Sequence, residues 1–253
     1  MKKKVGITIE ARMGSTRLPG KTLKPLLGKP MLERMIERLK RVELADLIVV
    51  ATTDSPKDQP IVDLAKSFGI GYFQGSEDDV LDRVLQAAKK HNLDLIVETC
   101  ADCPLIDPKI LEMEISAFLE NQVDYVGCHL VKTFPIGLDA KIFAAQTLEE
   151  VSHMTNEPAD RENVSLYIYE HPEKYKLLNL EAQGRQRRPD LRLVVDHQED
   201  FDLVEVIYRE LYGPKPDFVY DDILDLFERR LELPKMNQTV KNIAVAGRNN
   251  DKK

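Results

Sequence analysis

Short β-branched apolar runs alternate with segments of helical period along this chain, and that alternation restricts its fold more than any other feature. Val5 to Ile9 reads as a strand, and Met31, Leu32, Met35, Ile36 and Leu39 then recur at helical spacing. Leu47 to Ala51 predicts a second strand, followed by a helix through Ile61, Leu64, Ala65 and Phe68 that stops at Gly69. Glu77 to His91 predicts a helix, Leu93 to Thr99 a strand, and Asp107-Pro108 the cap and first-turn proline of a helix running to about Asn121. Val123 to Val126 closes another strand. From Cys128 to Leu178 the rhythm loosens, and Leu191 to Val195 predicts a late strand before an amphipathic helix containing Leu203, Val204, Ile207 and Leu211. Strands joined by helical crossovers demand an α/β fold whose mostly parallel sheet is covered on both faces, with ligands outside the carboxyl ends of its strands.

Composition narrows the class without naming a function. The 253 residues are 43% hydrophobic and 31% charged, with three cysteines, no tryptophan and a net charge of −7, which is ordinary usage for a globular protein. A chain of this length buries roughly 70 to 75% of its extended surface and needs no disulfide or structural metal to hold a core. No apolar run approaches the roughly 20 residues of a membrane span, and no signal peptide is read, so a cytoplasmic location is expected. The negative charge argues against a nucleic-acid or acidic-membrane binder. It is unevenly spread: Lys235 to Lys253 carry five basic groups (Lys235, Lys241, Arg248, Lys252, Lys253) against the single acid Asp251, and read as a polar basic tail.

The rim of such a sheet is where chemistry belongs, and the loop from Glu10 to Lys21 behind the first strand is built for anions. Two glycines, two hydroxyls and three cationic side chains stand in twelve residues. Glycines let backbone N–H groups converge, and Arg12, Arg17 and Lys21 neutralise a polyphosphate. The Gly20-Lys21-Thr22 ending suggests a Walker A loop, but Gly14 and Gly20 enclose five residues where that motif takes four, so a Walker A loop is excluded.

The run Ala11 to Lys21 closely resembles the nucleotide-binding loop of the CMP-sugar synthetases, the cytidylyltransferases that activate deoxyoctulosonate and acylneuraminate-type sugars, with the spore-coat polysaccharide cytidylyltransferases as the nearest branch. Gly28 to Leu32, Val50 to Asp54, Gly75 to Arg83, Asp102 to Asp107 and Gly137 to Asp139 continue the resemblance over about residues 5 to 210. It implies a Rossmann-like three-layer nucleotidyltransferase fold, with residues 1–232 as the catalytic domain, a sugar-facing and dimerising subregion at about 128–178, and a tail at 233–253. The implied reaction joins CMP from CTP to an acidic keto-sugar and releases pyrophosphate, with Mg²⁺ as cofactor and a homodimer as the working form. Carried over by position, the nucleotide is held by Ala11, Arg12, Met13, Gly14, Ser15, Arg17, Lys21, Thr53, Ser76, Asp79 and Arg83, with Arg12, Lys21 and Asp102 at the reacting phosphate. Gly137, Asp139, Arg161 and Glu162 face the sugar, and Asp102 and Asp196 hold the metal.

The residues support part of this independently. A hard divalent ion takes carboxylate and phosphate oxygens, and both aspartates follow predicted strands at the functional rim. Ser76 to Asp79 also suits a helix start, with Ser76 as cap. Cys100 and Cys103 lack the second pair of ligands that zinc requires, and the histidines do not cluster, so neither a zinc centre nor a nucleophilic triad is expected. Four positions depart from the family's pattern: Glu10 where Gln or Pro is usual, Ala101 for Gly, His197-Gln198 for Thr-Pro, and Asn163 for His. A sugar-1-phosphate nucleotidyltransferase using another base, and a nucleotide-binding relative without turnover, are the alternative readings.

Overall fold

A computed structural model describes residues 2–240. Seven strands form one sheet in the order β5-β4-β1-β6-β8-β7-β9: β1 (Val5–Glu10), β4 (Leu47–Thr53), β5 (Gly71–Gly75), β6 (Leu95–Cys100), β7 (Tyr125–Gly127), β8 (Lys141–Ala144) and β9 (Leu177–Asn179). The two-residue strands β2 (Pro25–Leu26) and β3 (Lys29–Pro30) make a separate hairpin. All sheet pairings are parallel except those of β8, which runs antiparallel between β6 and β7. Among the described residues no helix is long and apolar enough to cross a membrane.

Side-chain alternation sends successive strand residues to opposite faces. Val5, Ile7 and Ile9 of β1 pack with α1 (Met31–Leu39) and α4 (Pro108–Glu120), while α2 (Gln59–Ser67) adds Ile61 and Ala65 to the same core. On the other face Val49, Ala51 and Ile96 pack against α3 (Val80–His91) and α5 (Ala145–Met154). Two short helices, α6 (Pro158–Glu162) and α7 (Leu166–Glu170), complete that layer. A third core gathers α8 (Gln198–Leu211), α9 (Tyr220–Arg229) and the extended segment bearing Leu193 and Val195. Burial on this scale is worth about 25 cal/mol per Å² of apolar surface before chain entropy is subtracted.

Asp107 joins these layers. One carboxylate oxygen accepts from the N–H of Lys109 and Ile110 to cap α4, and the other accepts from the N–H of Tyr220 at the start of α9. Beside it the buried Arg38 donates to the carbonyls of Ile106 and Phe218 at 2.8 and 3.1 Å. These bonds fix the loop from β6 to α4, which carries Asp102.

The structure corrects several expectations. Leu191 to Val195 is not a strand; its buried apolar residues fit the pattern, but its N–H groups go to loops, Leu193 to the Ile136 carbonyl at 2.9 Å and Val195 to that of Asp102 at 2.8 Å. The helix expected from Glu77 begins at Val80, with Asp79 as its cap and the Ser76 hydroxyl accepting from the Asp79 N–H at 3.0 Å. Strands β5, β8 and β9 are too short or too polar to stand out in the sequence. Residues 233–240, expected to open the tail, pack on the body, with Leu233 in the third core and Asn237 buried; residues 241–253 lie outside the described residues.

Gly137 holds the approach of the 191–195 segment. Its φ of +103° lies in the region that favours glycine, and a Cβ there would fall 2.7 Å from the backbone of Leu193 and Val194. Gly137→Ala is expected to destabilise the fold by about 2 kcal/mol or more, read as a fall of roughly 4 to 8 °C in Tm.

Candidate active site

Strand β1 ends at Glu10 between its neighbours Ala51 and Cys100, and the loop that follows curls over the carboxyl edge of the sheet. The loop is held by its own hydrogen bonds. Thr22 donates to the Arg12 carbonyl at 2.8 Å, Ser15 Oγ accepts from the Leu18 N–H, and the Met13 N–H donates to the buried Asp58 at 2.7 Å. Thr53, at the end of β4, donates to the same aspartate. Met13 and Thr53 therefore shape the loop from behind and do not line the cleft it borders.

That cleft has a volume of about 260 Å³ and is lined on one side by Ala11, Arg12, Gly14, Ser15, Arg17 and Lys21. Arg83, Glu10, Asp102, Asp196 and, from α6 and its end, Glu162 and Asn163 form the rest of the wall. Gly14 lies close to Glu77: a Cβ added there would meet its Oε1 at 3.1 Å. Arg12 is half-exposed, with only a 3.5 Å contact to Glu77.

At one end of the cleft, Lys21 Nζ donates to Asp102 and Asp196 at 3.0 Å each and to the Val195 carbonyl at 2.7 Å. Burial works against the ammonium, but the two carboxylates outweigh it and hold its pKa above the ordinary lysine range. Asp196 also accepts from Arg17 at 3.0 Å and Arg192 at 2.7 Å. Against burial, Lys21, Arg17 and Arg192 keep its carboxyl far below the usual carboxylate range, so it is ionised at neutral pH. Two ionised or ionisable carboxylates meeting at a single cation form an oxygen donor set that suits Mg²⁺.

Sequence reasoning missed the residues that orient Asp196. Asp200, fully buried, accepts from the N–H groups of Asp196 and His197 at 3.0 Å each and from Arg192 at 2.9 Å, and Asn237 donates to it at 2.8 Å. The Glu199-Asp200 pair beside the predicted metal aspartate was the available signal.

The remaining expected contacts divide. Arg83 lines the cleft, and its guanidinium donates to the carbonyls of Ser76 and Glu77. Asp79 is bound to Arg161, whose Nε lies 3.0 Å from it and whose Nη1 donates to the Ser152 carbonyl at 3.2 Å. Asp79 and Arg161 thus fasten α3 to α5 and α6 outside the cleft, and Ser76, also outside it, accepts from the Asp79 N–H. Gly137 and Asp139 are also outside it; the first is a backbone contact and the second lies beside Glu114 and Cys128. From the four expected sugar-facing positions the structure brings only Glu162 into the cleft.

Glu10 is the unusual wall residue. Oε2 accepts from the Cys100 thiol at 3.7 Å, and Oε1 is buried without a partner among the described residues. Burial first and then Glu98 push its carboxyl up to about 8, against the opposing pull of Lys141 and Arg83. Cys103 donates to Asp102 at 3.5 Å, and among the described residues neither Cys100 nor Cys103 joins a group of three side chains placed to hold a metal.

A mostly parallel sheet whose first crossover begins with a glycine-containing cationic loop is common to several nucleotide-binding folds, and comparison with known proteins narrows the class. The sequence matches the cytidylyltransferase family over residues 7–233, and the chain belongs to that family. It is 32% identical to the spore coat polysaccharide biosynthesis protein SpsF of Bacillus subtilis over 87% of this chain and 92% of that protein. A solved cytidylyltransferase from Leptospira borgpetersenii superposes with a TM-score of 0.87 at 34% identity, over 96% of this chain and all of the other. The fold is shared more distantly with a CMP:2-keto-3-deoxy-manno-octonic acid synthetase solved with CTP, at a TM-score of 0.62 and 19% identity over 82% of this chain and 100% of that one.

Between pH 4.5, the ordinary glutamate value, and about 8 the folded chain keeps a proton on Glu10 that the unfolded chain has released. Stability supported by that group is complete at low pH and is lost as pH rises through this window. Glu10→Gln is expected to melt with wild type at pH 5 and several degrees above it at pH 8; parallel melting at both pH values would overturn the assignment.

Proposed function

We propose that this cytidylyltransferase transfers CMP from CTP to an acidic keto-sugar of the deoxyoctulosonate or nonulosonate type and releases pyrophosphate, for the biosynthesis of a surface polysaccharide. The carrying observation is the junction at Lys21, where a cationic loop meets two carboxylates from segments 81 and 175 residues away. The relatives support the substrate class: SpsF is a spore coat polysaccharide biosynthesis protein, and a 3-deoxy-manno-octulosonate cytidylyltransferase of Hydrogenovibrio crunogenus is 30% identical over 84% of this chain and 88% of that protein.

Arg12, Arg17 and Lys21 bind and neutralise the triphosphate, and Ser15 with the loop amides positions it. Asp102 and Asp196 would hold Mg²⁺, which supplies charge neutralisation at the α-phosphate and the departing pyrophosphate. The sugar oxygen forms a bond to the α-phosphorus as the bond to the β-phosphate bridging oxygen breaks, so no enzyme nucleophile is required. Catalysis on this scheme is positioning and electrostatic stabilisation. Arg83 and Glu162 flank the cleft, where they contact the nucleoside and the sugar. The working form proposed is a homodimer, for which light scattering would give twice the 28.9 kDa chain mass.

Pyrophosphate release assayed with four nucleoside triphosphates and a panel of sugar acids tests the reading. CTP with a keto-sugar acid is the expected productive pair; turnover with a sugar 1-phosphate and another base would replace it with the alternative reaction. Lys21→Ala is expected to lower kcat/KM for CTP at least a hundredfold, which corresponds to about 2.7 kcal/mol of transition-state stabilisation. Arg17→Ala, at a more exposed side chain than Lys21, should act chiefly on KM. Unchanged kinetics in both variants would remove the loop from the mechanism.

A further inference from the structure

We propose that Glu114, Cys128 and Asp139 form a second divalent-cation site, selective for a zinc-like ion over magnesium and separate from the aspartates of the cleft. Glu114 projects from α4, Cys128 follows β7, and Asp139 precedes β8, so the pairing of β7 with β8 beneath α4 brings them together. One ligand atom from each side chain lies within 4.8 Å of the other two. None of the three lines the nucleotide cleft, and the inference does not rest on the proposed reaction.

Glu114 makes the cluster more than a chance meeting of acids. Its side chain is completely buried, and Oε2 accepts the Ala140 N–H at 3.0 Å. Oε1 is also buried, with no partner at hydrogen-bond geometry among the described residues; its neighbours are the Cys128 thiol and the Asp139 carboxyl. A buried carboxylate oxygen left without a partner is costly, and more so when charged. Burial pushes both Glu114 and the Cys128 thiol well above their ordinary ranges, and Asp139 up to about 6. Glu114 and Cys128 hold protons at neutral pH when no cation is bound, and a metal would displace them.

Donor chemistry selects the ion. Zinc bonds thiolate sulfur at about 2.3 Å and carboxylate oxygen at about 2.0 to 2.2 Å, distances that a cluster of this diameter reaches through small side-chain rotations. A thiolate discriminates against magnesium, which prefers hard oxygen ligands in an octahedron. Asp139 is the only partly exposed member and supplies the way in. The cleft site, by contrast, has two carboxylates and no thiolate among its proposed ligands.

Cobalt and zinc serve as probes on the full chain, reduced and stripped with chelator. Cobalt titration is expected to give one equivalent with a thiolate-to-metal charge-transfer band, and zinc to displace it. Cys128→Ser should abolish the band and Glu114→Gln should weaken cobalt binding at least tenfold. Asp102→Asn and the double variant Cys100→Ser with Cys103→Ser should both keep the band. Absence of a thiolate band in the wild-type chain, or its persistence in Cys128→Ser, would overturn the proposal. Circular dichroism establishes that each variant is folded, and Glu114→Gln carries the test if Cys128→Ser does not fold.

Discussion

The Lys21 ammonium is the interaction on which the site depends. It ties the loop behind β1 to the segment after β6 and to the entry of α8. Removing one partner from a buried ion pair costs about 3 to 5 kcal/mol because the other charge is left uncompensated. Here two carboxylates would be left, although Arg17 and Arg192 still reach Asp196. The same contact that closes the fold at its functional edge therefore sets the spacing of the two carboxylates.

A second layer keeps those carboxylates aimed. Asp200 receives the backbone N–H groups at the start of α8, while Arg192 spans Asp196 and Asp200 with Asn237 behind it. On the other side, Arg38 and Asp107 bolt the Asp102 loop to α4 and α9. Both assemblies are buried hydrogen-bonded networks in which each charge has several partners, the condition under which burial of charge is tolerated. Rigidity at the site is thus built from side chains that never face the cleft.

Much of this was legible in the sequence because local and long-range demands agree there. The β1 run, the α1 stripe and the Asp107-Pro108 start of α4 follow period and capping chemistry, and the Arg12 to Lys21 loop follows anion-binding chemistry. The 191–195 segment misled because burial and β-branching mark an extended core segment whether or not it has a ladder to join. Gly137 and Asp139 stand in a recognisable motif, yet the glycine serves a backbone approach and the acid turns behind the wall. Arg161 has the chemistry of an anion ligand but spends it on Asp79, a pairing set by the packing of α6 on α3 that no sequence spacing reveals. Asn237 lies in a stretch whose polarity reads as tail, and its burial depends on Arg192 and Asp200 being where they are.

Charge balance in the cleft bears on the proposal that a loop rich in cations works with a metal as well. Four basic side chains, Arg12, Arg17, Lys21 and Arg83, face four acids, Glu10, Asp102, Glu162 and Asp196, so the walls are formally neutral before any ligand enters. A polyphosphate placed there meets as many carboxylates as cations, and Coulomb repulsion in a partly desolvated site is not screened as it is in water. A divalent ion held by Asp102 and Asp196, as proposed, would offset the acids at that end of the cleft and leave Lys21 to face phosphate oxygen. Glu10 acts in the same direction by another route: the burial that pushes its carboxyl up to about 8 leaves it largely protonated at neutral pH, which withdraws one negative charge from the wall. A glutamate beside this cationic loop is therefore compatible with the proposed nucleotide binding, because burial and Glu98 keep it largely neutral.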